Sequence, residues 1–162
     1  MTLLSILEWL QETSVAIGIR ESLFWFPFLI GLHVMGTVTS VGLILALDIR
    51  LLGWGMRGTP VSAIFEQLRP WAIGGFVYQI VTGVLLFWSE PVKCYNSLPF
   101  WIKMVAMMLA FGNAFLFDKT VYPSSASWDN ATTMPFRAKF AGVASLVLWT
   151  LVIWGGRWTA YS

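Results

Sequence analysis

One histidine, His33, lies within the apolar run Leu23–Leu47, which carries no other titratable side chain. A run of this length crosses a bilayer as a helix, so we expect the imidazole to lie inside the hydrocarbon region. Ionisable groups at that depth are costly and usually serve a function. Gly36, Thr37 and Ser40 follow His33 at helical spacing, which predicts a shallow groove of small residues beside the ring. Such a groove admits another helix or a flat ligand.

The residue type of His33 favours one form of chemistry. A neutral imidazole on a spanning helix beside small residues is typical of an axial ligand to the iron of haem b in membrane cytochromes. The second ligand would be a Met, Cys or Tyr of the same chain, or His33 of a second copy across a two-fold interface. Besides His33, four residues are candidates for contacts with the cofactor: Gly36, Ser40, Asn113 and Trp149.

Two other interpretations of these residues stay open. In the structural one, a neutral His33 hydrogen-bonds to Asn113, Gln79, Tyr78 or a backbone carbonyl. In the other, thioethers form a soft Cu(I) site, because Met104, Met107 and Met108 share one helix face and His33 or Cys94 would complete the ligands. A methionine cluster in an apolar helix is more often plain packing.

Composition places the chain in a membrane. Of 162 residues, 57% are hydrophobic and 11% are charged, whereas soluble domains carry about a quarter charged residues. The mean hydropathy is +0.73. The net charge of +2 is small, and the basic residues cluster at helix ends, so we exclude nucleic acid as a partner. No nucleophile and base pair, phosphate loop or carboxylate dyad occurs, which argues against an independent enzyme.

Hydropathy and periodicity predict an all-α integral membrane four-helix bundle that forms one domain over residues 1–162. An amphipathic N-terminal helix over about 3–19 should lie at the interface, and a second amphipathic helix should cover 59–69. Asp48 with Arg50, and Lys103 with Glu90, are predicted ion pairs. Small-residue faces suit a homo-oligomer or a subunit docked on other membrane proteins. The predicted spans are 23–47, 71–88, 100–117 and 138–156.

Four segments occur in order along the chain: LHVMGTVTSVGLILALDIRLLG, NSLPFWIKMVAMMLAFGNAFLF, RAKFAGVASLVLW and GGRWTAY. Together they resemble a family of small four-helix bacterial inner-membrane proteins of undefined function, over nearly the whole chain. That resemblance implies a multi-pass protein of the bacterial inner membrane.

The HVxG element, followed by VG and an acidic residue, is also similar to the copper-resistance protein D membrane domain and to b-type di-haem membrane cytochromes. In the family pattern a second histidine follows the third span, where Asp118 stands here. The chain therefore departs from the pattern where a two-histidine haem site would have its second ligand.

The resulting hypothesis is a non-catalytic integral membrane subunit that binds haem b through His33 and transfers electrons to or from quinone. The first alternative is a structural or anchoring subunit of a larger membrane complex or homo-oligomer, without a redox centre. The second is copper handling.

Overall fold

The structure, a computed structural model, describes residues 2–129, 131 and 133–162. Across these residues the regular structure is helical throughout, without strands, which confirms the all-α prediction. The helices are α1 (Leu3–Gln11), α2 (Ser14–Arg20), α3 (Trp25–Leu52), α4 (Val61–Ser89), α5 (Pro91–Asn96), α6 (Leu98–Leu116) and α7 (Phe136–Thr159). Between α6 and α7 the chain continues through a π-helical turn, Phe117–Val121, and a 3-10 turn, Tyr122–Ser127.

Four helical segments are long and apolar enough to cross a membrane: α3, α4, α6 with the two turns that follow it, and α7. The chain is therefore a multi-pass membrane protein. Helix α3 packs along α4, α6 packs along α7, and a contact between α3 and α7 joins the two pairs. This arrangement places α3, α4, α6 and α7 around a common interior.

The predicted amphipathic helix over 3–19 is divided in two. Thr13 interrupts it because its hydroxyl donates to Leu10 O at 2.7 Å and accepts from Ala16 N at 3.4 Å, which caps α2. The same hydroxyl accepts from Trp88 Nε1 at 3.0 Å, so α1 and α2 are attached to the end of α4. An interfacial position of these helices stays a prediction.

The predicted second amphipathic helix, 59–69, is not a separate element. It forms the first part of α4, which continues through Pro70. A proline inside a helix removes the hydrogen bond to the carbonyl four residues earlier, here Glu66. The helix continues because Glu66 lies near its polar end, where water can satisfy that carbonyl.

The predicted pairing of Asp48 with Arg50 is wrong. Arg50 is 1% exposed and donates to Thr59 O at 2.8 Å and Asp129 O at 3.1 Å. Residues two apart on a helix do not face each other. Asp48 lies instead against α7 beside Ser145, and its Oδ2 is buried without a hydrogen-bond partner among the described residues.

The predicted pairing of Lys103 with Glu90 is also wrong. Glu90 Oε2 lies 3.7 Å from Lys93 Nζ, three residues along the chain. The two residues belong to the same short helical segment, which brings their side chains together. Lys103 is left to the interior of the bundle.

Candidate functional site: a cavity beside His33

Side chains of α4 hold both ring nitrogens of His33. The Nδ1 atom lies 2.9 Å from Thr82 Oγ1, and the Nε2 atom lies 2.8 Å from Gln79 Nε2. Thr82 is buried, with 4% of its surface exposed. The imidazole therefore forms a polar link between α3 and α4 deep within both helices.

The side chains around the imidazole form a connected group of hydrogen bonds. The Thr82 hydroxyl lies 3.1 Å from Tyr78 O and 3.2 Å from Gln79 O within α4, in addition to its contact with His33 Nδ1. The Thr37 hydroxyl donates to His33 O at 2.9 Å and accepts from Gln79 Nε2 at 2.6 Å. The Gln79 amide nitrogen thus contacts both Thr37 and His33, and the tautomer of His33 follows from which of its partners donates.

Gly36 allows α3 and α4 to approach closely at this level. A Cβ atom on Gly36 would lie 2.5 Å from Gln79 Oε1 and 2.6 Å from the Tyr78 ring. Side chains of α4 therefore fill the predicted groove at this point. Gln79 Oε1 itself is buried and accepts no hydrogen bond from the described residues.

A cavity of about 500 Å³ opens beside His33. It follows α6 from Trp101 to Phe111, which corresponds to about 15 Å of helix rise. Residues of α1 and α5 border the end near Trp101. The residues that line it are Leu3, Leu7, His33, Thr37, Ser40, Val41, Phe76, Gln79, Ile80, Gly83, Val84, Phe87, Tyr95, Phe100, Trp101, Lys103, Met104, Met107, Phe111, Trp149 and Val152.

Three aromatic rings form the far end of the cavity. Phe76 and Trp149 are stacked, with ring centroids 5.1 Å apart and planes 25° apart. Phe111 meets Phe76 edge to face at 5.1 Å. Rings from α4, α6 and α7 thus give this end a flat apolar surface, of the kind that accommodates a planar ligand.

The structure places three of the predicted site residues on the cavity wall: His33, Ser40 and Trp149. Gly36 and Asn113 do not line it. Gly36 faces α4, and Asn113 Nδ2 donates to Ala141 O at 3.0 Å, which links α6 to α7. The amide of Asn113 found its partner in a backbone carbonyl rather than in a ligand.

The sequence did not lead us to predict Phe76 and Phe111 as cavity residues, or that Lys103 lines the cavity. Lys103, Met107 and Phe111 recur at every fourth residue of α6 and share one face. That spacing was a usable signal for α6. Phe76 carried no such signal, because its place depends on how α4 packs against α7.

The residues beside His33 do not fit axial ligation of haem as they are arranged. Both ring nitrogens are hydrogen-bonded to α4, and the ring carbon Cε1 faces Gly83, where a Cβ atom would lie 3.1 Å away. Asp118, where the resemblance predicted that a second histidine would stand, contacts Arg69 at 3.5 Å. Arg69 precedes Gln79 by about 15 Å of helix rise, far from His33. Among the described residues no three His, Cys, Asp or Glu side chains form a metal cluster.

Of the copper candidates, Met104 and Met107 line the cavity with His33. Met108 is 67% exposed on the outside of α6, and Cys94 lies on α5 outside the lining. Burial, followed by the nearby Glu90 carboxylate, raises the pKa of the Cys94 thiol, and the Lys103 ammonium acts in the opposite direction. Cys94 is therefore a poor thiolate ligand as it stands.

No curated protein and no solved structure matches the chain. The resemblances to the copper-resistance protein D domain and to b-type di-haem cytochromes therefore stay predictions. The resemblance to an uncharacterised family, in contrast, is supported by a family comparison. A sequence profile for a family of unknown function, DUF6644, matches residues 6–162, and the chain therefore belongs to that family.

Proposed function

We propose that this protein is a non-catalytic subunit of the bacterial inner membrane that holds a quinone in the cavity beside His33, in an electron-transfer setting. The observation that carries the proposal is the cavity itself, which combines a stacked aromatic end with a few polar side chains. Ile80 and Val84 of its lining are more than half exposed, so the cavity opens to the outside of the bundle. Apolar walls with a small number of placed polar groups are typical of small-molecule sites.

The size and polarity of the cavity suit a quinone ring. Its aromatic end, Phe76, Phe111 and Trp149, offers faces on which a planar ring stacks. Lys103 on α6 supplies an ammonium at the cavity wall, whereas the Gln79 amide nitrogen already contacts Thr37 and His33. An ammonium donor matches a carbonyl oxygen of a quinone, which accepts hydrogen bonds. The apolar tail of the quinone would leave the cavity beside Leu3 and Leu7 of α1.

His33 has a positioning role in this proposal. Its Nε2 atom contacts the Gln79 side chain at the cavity wall, and its Nδ1 atom contacts Thr82, so the ring fixes two side chains of α4. No step depends on haem, and electrons would come from a partner membrane protein. The experiment described next tests both quinone binding and the haem b prediction for His33.

The direct test is analysis of the protein purified in mild detergent from its native membrane. Solvent extraction followed by liquid chromatography and mass spectrometry should recover close to one quinone per chain. Absorption spectra of the oxidised and dithionite-reduced protein should show no Soret band. Metal analysis of the same sample should find no copper. A Soret peak with sharp reduced α and β bands, or stoichiometric copper, would instead replace the quinone proposal.

A matched pair of tryptophan variants locates the ligand. Added decylubiquinone should quench tryptophan fluorescence of the wild type, and Trp149→Leu should lose a large part of that quenching. Trp154→Leu removes a tryptophan of the same helix that is 45% exposed and outside the cavity lining. Equal quenching in the two variants would argue against a ring bound at the aromatic end.

One observation favours a second candidate, the structural subunit without a redox centre. Both nitrogens of His33 are satisfied by α4, as in a histidine that serves helix packing alone. Under this hypothesis the purified protein contains no quinone, haem or copper and does not bind added decylubiquinone. Its partners would then be identified by what co-purifies with it.

A further inference from the structure

Lys103 differs from every other residue that lines the cavity. The lining contains no Asp, Glu or Arg, and its other titratable residues are His33 and Tyr95. Lys103 thus brings a positive charge to an apolar interior. A charge in such surroundings is costly unless acceptors or an opposite charge face it.

The backbone of α7 determines where this charge lies. A Cβ atom on Gly155 would be 3.0 Å from Lys103 Cβ and 2.8 Å from Pro99 O. A Cβ atom on Gly156 would be 3.7 to 3.9 Å from Cδ, Cε and Nζ of the lysine. The lysine stem therefore lies across two glycines, where a larger residue at Gly155 would displace it. Packing against α7 therefore fixes both the stem and the ammonium, which lies beside Gly156 in a residue that also lines the cavity.

Within the described part of the chain, no carboxylate lies at ion-pair distance from Lys103 Nζ. The four ion pairs found there belong to Arg20, Arg69, Lys93 and Lys119. Glu90, the acidic residue nearest in sequence, is taken by Lys93 at 3.7 Å. An ammonium has three donors and no acceptor, so its missing partner must be an oxygen that accepts.

We infer that Lys103 binds a ring oxygen of the quinone and is the residue that selects a ligand with carbonyl oxygens. This inference rests on the proposed function and names a binding residue for it. Lys103 on α6 lines the same cavity as the aromatic rings of Phe76, Phe111 and Trp149. One cavity therefore offers a donor for a carbonyl oxygen and aromatic rings against which the quinone ring packs.

The test is a titration of the detergent-purified full chain with decylubiquinone, followed by tryptophan fluorescence. Lys103→Met removes the charge and keeps the length of the side chain. Lys103→Arg keeps the charge. Lys93→Met is the matched control, because it removes a nearby lysine that pairs with Glu90 and does not line the cavity.

We expect Lys103→Met to weaken binding at least about tenfold, since a hydrogen bond from a charged donor is lost. Lys103→Arg should retain most of the affinity, and Lys93→Met should bind as the wild type does. If Lys103→Met binds like the wild type, the inference about Lys103 is overturned while the proposed function stands. If the wild type does not bind decylubiquinone, the proposed function fails as well.

Palmitate serves as a competitor in the same titration. A fatty-acid carboxylate is the other oxygen-bearing end that an ammonium at an apolar cavity would attract. Palmitate should displace decylubiquinone poorly. Efficient displacement in the wild type that is lost in Lys103→Met would overturn the quinone assignment of Lys103 in favour of an acyl chain.

A structural role for Lys103 would show in stability rather than in binding. Because the ammonium has no ion pair to lose among the residues that the structure describes, Lys103→Met should unfold at a temperature no lower than the wild type. Should the variant misfold, the wild type still tests the inference through photolabelling with an azidoquinone. The label should then be found in the α6 peptide that contains Lys103, and its absence from that peptide would refute the inference.

Discussion

At the Arg50 end of the bundle the interior is filled, whereas at the His33 end the same four helices surround a cavity. Arg50 donates to backbone carbonyls and to Met134 Sδ at 3.8 Å, and Asp129 accepts from Ser62 N at 2.8 Å and from its hydroxyl. An apolar cluster packs around this polar group: Leu51, Val61, Phe117, Val121, Trp128, Met134, Ala138 and Ala141.

The His33 end differs in its cavity and in Lys103, which has no counter-ion among the described residues. Each end keeps one buried side-chain oxygen without a partner among those residues: Asp48 Oδ2 at the Arg50 end and Gln79 Oε1 at the His33 end. Most other buried polar groups in a stable core are paired. The filled interior of the Arg50 end therefore holds the bundle together, while the cavity and its unpaired lysine distinguish the His33 end.

The largest effect should come from the filled end. Arg50→Ala removes hydrogen bonds from a buried charged donor, so the free energy of unfolding should fall by about 3 kcal/mol. Arg57→Ala is the control, because Arg57 is exposed and its Nε donates to Gly53 O within the same turn; it should cost less than about 0.5 kcal/mol. Circular dichroism during thermal unfolding in detergent measures both. Equal stability of the two variants would remove the distinction between the ends.

A smaller effect should follow when α3 and α4 are forced apart beside His33. Gly36→Ala places a Cβ atom against Gln79 and Tyr78 and should cost about 1 to 3 kcal/mol by overpacking. Gly42→Ala, on the same helix with open space around it, should gain up to about 1 kcal/mol from helix propensity. Thermal unfolding of the two variants should move in opposite directions. A shared direction would mean that the helices are not closely packed at Gly36.

Asp48→Asn tests the one unpaired carboxyl oxygen at the filled end. A neutral amide is easier to bury than a carboxyl without a partner, so the variant should gain up to about 1 kcal/mol of stability. Asp129→Asn makes the same chemical change where both carboxylate oxygens accept from Ser62 and should destabilise the protein. Destabilisation by both variants would show that Asp48 has a partner after all.

The smallest effect concerns the alkylation rate of the Cys94 thiol on α5. Burial and the Glu90 carboxylate raise the pKa of its thiol, so less thiolate is present at a given pH. Iodoacetamide should therefore alkylate Cys94 several-fold more slowly in the folded protein than in the SDS-unfolded protein, and the rate should rise with pH above the usual range for a thiol. Equal rates before and after unfolding would exclude a raised pKa.

Much of the fold was accessible from the sequence because its causes are local. Long apolar runs predicted four spans, and each overlaps a helix of the structure. The errors concern charged residues near helix ends, which were predicted to form the ion pairs Asp48 with Arg50 and Lys103 with Glu90. Arg50 is buried because Asp129 and Thr59 supply distant carbonyls, and no local pattern reports such partners.

The candidate site was accessible only in part. His33 was predicted because an ionisable group in an apolar run is visible without a structure. Its bond to Gln79 was one of several open alternatives, and its bond to Thr82 was not foreseen. The ion pair expected for Lys103 was wrong because Glu90 found a nearer lysine. Each of these outcomes depends on contacts between different helices.

By itself the sequence determined that the chain is helical, that four segments can cross a membrane, and that His33 lies within one of them. Those properties follow from side-chain hydropathy and from the regular rise and period of a helix. Only the tertiary structure decided that His33 bonds to α4, that Arg50 is buried, and that Lys103 faces a cavity. The reason is that the relative rotation and depth of packed helices depend on residues far apart in the chain.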